Sequence, residues 1–151
     1  MVTMIVYVKR KTGLTRAEFT RYWQDHHAPL ILETPEFMRY VRKYVQYHFA
    51  PGEAAAGSLF GDIANDYDGV GAIWFDSRES MNAALNEPRY LEVMRPDEEK
   101  FIDLAGCLSF LAEEHVVFDA LGDHYRRRAV SSTGTGDRDL IVRGSLSSRP
   151  R

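Results

Sequence analysis

The first apolar stretch, Thr3 to Lys9, is dense in Ile, Val and Tyr and predicts a strand, followed by the polar turn Arg10-Lys11-Thr12-Gly13. Thr15 and Glu18 have the spacing of a capping box, so a helix is expected from about Arg16. Along it Phe19, Tyr22, Trp23 and His26 recur at i, i+3, i+4 and i+7, which places them on one face. Pro29 disfavours helical backbone at Ala28, and the helix is expected to stop near His27. Leu30 to Phe37, with Pro35 inside it, reads as a loop holding a short turn of helix.

Arg39 to Phe49 alternates with period two. Val41, Val45, Tyr47 and Phe49 fall on one side, and Tyr40, Arg42, Tyr44, Gln46 and His48 on the other. This predicts a long strand; which side meets the helices is open at this level. Pro51 to Tyr67 is rich in Gly and Ala without a period and is expected to be a long loop, of a length that often serves as a lid. Asp68 and Gly69 open a third strand through Phe75. Ser77 or Asp76 caps a helix from Arg78 to about Asn86, which Pro88 breaks. Tyr90 to Ile102 is helical but interrupted by Pro96, and Gly106 opens a fourth strand, Cys107 to Phe118. Residues 119–151, rich in Gly, Ser and Thr, are expected to form a tail with little core. In that tail Asp139 to Arg143 has the makings of a short strand, and Arg126-Arg127-Arg128 reads as a solvated charge cluster.

The order β-α-β, β-α-β predicts an α+β fold of the ferredoxin-like split βαβ kind, with a four-stranded antiparallel sheet and the helices on one face. Its domain is expected over residues 1–118. An aromatic second face cannot be left in water over a whole sheet. Two such sheets paired in a homodimer would cover it, with an aromatic-lined cavity in the space between.

Composition removes several classes of function. The net charge of -3 gives no basic field, so no nucleic-acid partner is expected. Cys107 is the single cysteine, which excludes an internal disulfide and an all-cysteine metal site. No apolar run is long enough to span a membrane, and the opening residues carry no basic signal-peptide region, so a cytoplasmic chain is expected. His26 and His27 are adjacent, while His48, His115 and His124 are scattered, so no metal site is expected. No glycine-rich phosphate loop is present and no cofactor is expected.

The residues also carry a resemblance. Phe19, Tyr22-Trp23 and His27-Ala28-Pro29-Leu30 resemble the signature of the EthD domain family, within the dimeric α+β barrel superfamily. Tyr67-Asp68-Gly69-Val70 running into Ala72-Ile73-Trp74-Phe75-Asp76 is similar to it as well. So are Asp97-Glu98 with Phe101-Ile102-Asp103, and Glu113-Glu114-His115-Val116-Val117. The resemblance covers about Val2 to Phe118 and implies a dimeric α+β barrel. Relatives of this kind include cofactor-free dehydratases, decarboxylases, cyclases and isomerases of polyketide or aromatic intermediates.

The expected chemistry centres on His27 as general acid/base, since an imidazole needs little tuning to work near neutral pH. The helical period favours His26 as the inward residue and the resemblance favours His27. Tyr44 and Asp68 are the other catalytic candidates, to polarise or hold an oxygen or orient the histidine. Tyr22, Trp23, Tyr47, His48 and Trp74 are candidates to bind a small hydrophobic or aromatic substrate. Cys107 reads as a small core thiol. The function expected is a lyase, dehydratase, isomerase or cyclase acting on an aromatic or polyketide-like carbonyl compound. The competing readings are a hydrophobic-ligand or haem-binding accessory protein, with His48 or His115 as axial ligand, and a cofactor-free monooxygenase.

Overall fold

In the computed structural model, residues 1–49 and 66–118 are described. The chain divides into two units, Met1–Glu114 and His115–Arg151. The expected lid within Pro51 to Tyr67 lies almost wholly outside the described residues, as do the expected tail of 119–151, its short strand and its arginine run.

The first unit is built on strands β1 (Val2–Val8), β2 (Val41–His48), β3 (Gly69–Phe75) and β4 (Leu108–Ala112). They form one sheet in the order β2-β3-β1-β4, and every neighbouring pair is antiparallel. This is the ferredoxin-like α+β arrangement. The fourth strand ends at Ala112 rather than Phe118, because Glu113 and the residues after it find no partner in the ladder.

Helix α1 (Arg16–Tyr22) starts at the expected capping box: Glu18 N–H donates to the Thr15 hydroxyl at 3.2 Å and Thr15 N–H donates to the Glu18 carboxylate at 2.8 Å. Gly13 just before it turns the chain at φ +94°, a conformation a Cβ would strain. The helix does not stop at His27. Trp23–His27 forms a π turn, and helical backbone continues through α2 (Ala28–Leu32). Pro29 would press its ring on the carbonyl four residues back in an α-ladder. The wider turn, in which Ala28 N–H donates to Trp23 C=O, relieves that crowding. Where a loop with a short turn of helix is expected, α2 takes the first residues and a short α3 (Pro35–Met38) supplies the turn.

The second half repeats the device. After α4 (Arg78–Leu85), capped by Ser77, a π turn spans Tyr90–Met94 and α5 (Arg95–Phe101) follows. Arg95 N–H donates to Tyr90 C=O, one residue before Pro96. Trp23 to Pro29 and Tyr90 to Pro96 therefore share one spacing and one backbone solution.

All helices pack on one face of the sheet. Val2, Met4, Ile73, Tyr44 and Leu111 pack from the strands against a core of Ile31, Phe37, Val41, Phe75, Met81, Ala84, Tyr90 and Met94. Phe19, Trp23 and Phe101 make a second core with Val8. A bulge at Arg42 shifts the register of β2, so Val41 opposes Phe75 and Lys43 opposes Trp74. Strict alternation puts Val41 and Tyr44 on opposite faces; the extra residue brings both toward the helices. The other face carries Tyr7, Tyr47 and Trp74, with Leu108 at 58% and Phe110 at 49% exposure.

Candidate functional site

A cavity of about 320 Å³ lies between the helices and the sheet. The space is inside one chain, on the helix side of the sheet, and is distinct from the space expected between two paired sheets. Met4, Val6 and Ile73 furnish apolar floor from the strands, and Trp23, His27, Tyr44 and Glu98 bring polar atoms to it. Its size sits at the low end of small-ligand pockets, about 300–1,000 Å³.

His27 is 4% exposed, whereas His26 is exposed and lies tilted against Tyr22 with ring centres 5.1 Å apart. The π turn is the cause. An extra residue in the turn advances the inward position from the one the 3.6 period selects to the next. Trp23 and His27, at the ends of that turn, consequently both face inward.

His27 Nδ1 lies 2.9 Å from Asp97 Oδ2, on a residue 5% exposed. The other carboxylate oxygen accepts from the Tyr22 hydroxyl at 2.7 Å and from Lys100 Nζ at 3.2 Å. Burial raises the affinity of Asp97 for a proton, but the bonds from Tyr22, His27 and Lys100 outweigh it and hold the carboxyl below its ordinary value. Burial pushes His27 below its ordinary 6.5, against the opposite pull of Asp97. An ionised carboxylate only accepts, so Nδ1 carries the hydrogen and Nε2 keeps its lone pair. The pair thus presents a neutral imidazole in one tautomer to the cavity it lines.

Tyr44 receives two bonds on its hydroxyl oxygen, from Trp23 Nε1 at 3.0 Å and Gln46 Nε2 at 2.9 Å. With those lone pairs taken, its own O–H is the group left to donate to a bound molecule. Burial raises its pKa to about 12, so it stays a donor at neutral pH. Trp23 is held in turn by the glycines of β3. A Cβ on Gly69 would stand 2.8 Å from Trp23 Cζ3 and 2.6 Å from the Tyr47 carbonyl oxygen, closer than atoms pack.

Of the residues picked from the sequence, the cavity wall brings together His27, Trp23 and Tyr44. Tyr22 stands behind it, on Asp97. His48 is on the Tyr44 side of β2 but its ring lies tilted against Trp23, ring centres 4.8 Å apart, and bonds Gln46 at 2.9 Å; it does not line the cavity. Tyr47 and Trp74 are on the opposite face, where Lys43 Nζ sits 4.4 Å above the Trp74 ring. Asp68 is also outside the cavity. It is buried at the start of β3, where it accepts from Arg10 N–H at 2.9 Å, from the Arg10 guanidinium and from Arg16 Nε at 3.1 Å. Such a clamp ties the turn after β1 to the sheet and leaves Asp68 no route to His27.

Asp97 and Glu98 are not among the residues that the sequence pattern singles out for chemistry. The signal was present, as two adjacent carboxyls in the first turn after Pro96, where Asp97 turns to His27 and Glu98 lines the cavity. Lys11 N–H donates to the Phe101 carbonyl at 2.8 Å and Asp103 N–H to the Lys9 carbonyl at 2.9 Å, bonds that fasten the end of α5 to the turn after β1. Cys107 borders the cavity too, its thiol pushed up by burial and donating to the Asp103 carbonyl at 3.2 Å. Among the described residues no cluster of three or more potential ligands suits a metal ion, and no helix is long and apolar enough to cross a membrane.

Comparison with known proteins agrees with this architecture. A curated relative, the conidial pigment biosynthesis dehydratase EthD of Metarhizium robertsii, is 26% identical over 106 residues, covering 68% of this chain and 75% of that protein. An EthD family protein of Bacillus halodurans superposes with a TM-score of 0.52 at 19% identity, over 76% of this chain and 99% of its own. A dimeric ferredoxin-like protein of Bacteroides fragilis gives a TM-score of 0.52 at 14% identity, over 75% and 95%. These structures share the fold. The family model described as EthD domain matches residues 11–105, more than half of the sequence, and the chain belongs to the EthD domain family.

Proposed function

We propose that this chain is a cofactor-independent enzyme in which His27 moves a proton on a small aromatic or polyketide-like carbonyl compound. The observation that carries the reading is the buried His27–Asp97 pair, which leaves an unprotonated Nε2 on the wall of a cavity of about 320 Å³. Nε2 takes a proton from the carbon beside the substrate carbonyl, and the Tyr44 hydroxyl donates to the oxygen on which the enolate charge gathers. Proton abstraction of this kind begins dehydration, isomerisation and cyclisation alike. The dehydratase name of the Metarhizium relative supports the lyase branch.

The enzyme is proposed to work as a homodimer. Phe110 and Leu108 on the uncovered sheet face, together with the dimeric Bacteroides neighbour, support that assembly. Light scattering should give twice the chain mass, and Phe110→Asp should halve it.

Wild type and His27→Ala, screened against aromatic and polyketide-like carbonyl compounds, test the chemistry. The expected result is binding by both and conversion by wild type alone. Equal conversion by His27→Ala would sink the assignment, and binding without conversion by either would make the cavity a carrier site.

A further inference from the structure

Glu98 lines the cavity with its carboxyl, and the pairing of His27 with Asp97 gives it no part. Its side chain is 15% exposed and lines the same space as His27 and Tyr44. The Tyr90 hydroxyl stands 3.2 Å from each of its oxygens, and Arg95 reaches one of them at 2.9 Å from the same helix. Arg95 also lies 5.1 Å over the Tyr90 ring, so donor, cation and carboxyl hold one another in place. The carboxyl, held by Tyr90 and Arg95, lines the cavity beside Met94, Ile102 and Leu104.

We propose that Glu98 is the second proton-transfer group of this site, giving its proton to a departing hydroxyl, and that the substrate is therefore a β-hydroxy carbonyl compound from which water is removed. The inference rests on the reading of His27 as the base. His27 Nε2 takes the proton from the carbon beside the carbonyl, and that C–H pair becomes the new C=C bond. The C–O bond breaks with its electrons on oxygen, which accepts the Glu98 proton and leaves as water. His27 is then an imidazolium and Glu98 a carboxylate; return of one proton from the first to the second through water restores the site.

The electrostatics suit this division of labour. The charged and titratable neighbours of Glu98 are Arg95, Asp97 and Glu99 on its own helix, Tyr90 on the π turn, Tyr44 on β2 and Cys107 before β4. Burial outweighs Arg95 and Tyr90 and lifts Glu98 from 4.5 to about 7, while burial lowers His27 below 6.5. The usual order of carboxyl and imidazole is reversed. Between the two values the base is free and the acid is loaded in most molecules at once, the condition a paired acid and base require.

The aldol adduct of benzaldehyde and acetone, a one-ring β-hydroxy ketone whose dehydration product absorbs in the near ultraviolet, is a suitable probe. In deuterium oxide, wild type should exchange the methylene beside the carbonyl and release the enone, with water loss falling above pH about 7. Glu98→Gln should still exchange that methylene, yet lose dehydration by about a hundredfold and lose the basic limb of the profile. Tyr90→Phe, which removes a bond that favours the carboxylate, should move that limb to higher pH. Dehydration by Glu98→Gln at the wild-type rate, or a limb unmoved in both variants, would overturn the role of Glu98 and leave that of His27 intact. Absence of exchange in wild type would overturn the base itself, and this inference with it.

Discussion

The Nδ1 of His27 and Oδ2 of Asp97 meet at 2.9 Å under the protein surface, and the Tyr22 hydroxyl holds the other oxygen of Asp97 at 2.7 Å. Three residues from two helical stretches therefore fix one tautomer of one imidazole. Asp97→Asn keeps the volume but removes the charge that demands a hydrogen on Nδ1. Turnover is expected to fall about a hundred- to ten-thousandfold, as for an orienting carboxylate elsewhere. Tyr22→Phe leaves Asp97 ionised and should lose about tenfold or less. Steady-state kinetics of both, and of Asp97→Asn combined with His27→Ala, check the order. If Asp97 works through His27, the double variant will be little worse than His27→Ala alone.

Gly69 is where the sheet yields to the site. Its missing side chain admits Trp23, whose indole N–H then reaches the Tyr44 oxygen at 3.0 Å. Gly69→Ala places a Cβ 2.6 Å from the Tyr47 carbonyl, a backbone atom fixed in the ladder, and is expected to destabilise by about 1–3 kcal/mol. Gly71→Ala meets Trp23 only at 3.6 Å, ordinary contact, and should change stability by less than about half a kcal/mol. Urea unfolding of the two variants separates them.

What the sequence disclosed and what it withheld have one physical division. Side-chain patterns were legible: the capping box at Thr15, the strands, the order that yields a β2-β3-β1-β4 sheet. Departures from the regular backbone were not. The bulge at Arg42 turns Val41 to the helix side, and the π turn turns His27 rather than His26 inward. A fixed period of two or 3.6 residues carries no trace of either. The partnership of His27 with Asp97, seventy positions apart, is invisible for a different reason. It exists only once α5 lies beside the first π turn.

Asp68, a carboxylate with a plausible chemical role, is bonded in the fold as a fastener. Its oxygens face Arg10 and Arg16 while His27 bonds to Asp97. Asp68→Asn should lower stability by about 1–3 kcal/mol through weakened bonds to a buried acceptor. It should leave kcat near that of wild type at temperatures where the variant is folded. A loss of kcat as large as that in Asp97→Asn, with the melting temperature unchanged, would return Asp68 to the catalytic set.

Glu98 gives a stability test independent of any substrate. Its carboxyl titrates near 7 in the folded chain and at 4.5 when ordinary, so the folded state binds more protons between those values. Stability from this group is accordingly full below pH 4.5 and lost as pH rises to about 7. His27 and Asp97 run the other way: both are depressed on folding, and their contribution is lost as pH falls. Glu98→Gln removes the first effect and keeps the other two, so the difference from wild type isolates Glu98. The variant should melt higher above pH 7, by an amount equivalent to about 1–3 kcal/mol, and the gap should close on approaching pH 4.5. A variant stabilised at neutral pH and impaired in turnover would mark Glu98 as a group kept for chemistry at the expense of the fold. A difference in melting temperature that stays flat across this interval would mean that Glu98 does not titrate there, and would remove the physical basis for its acting as the acid.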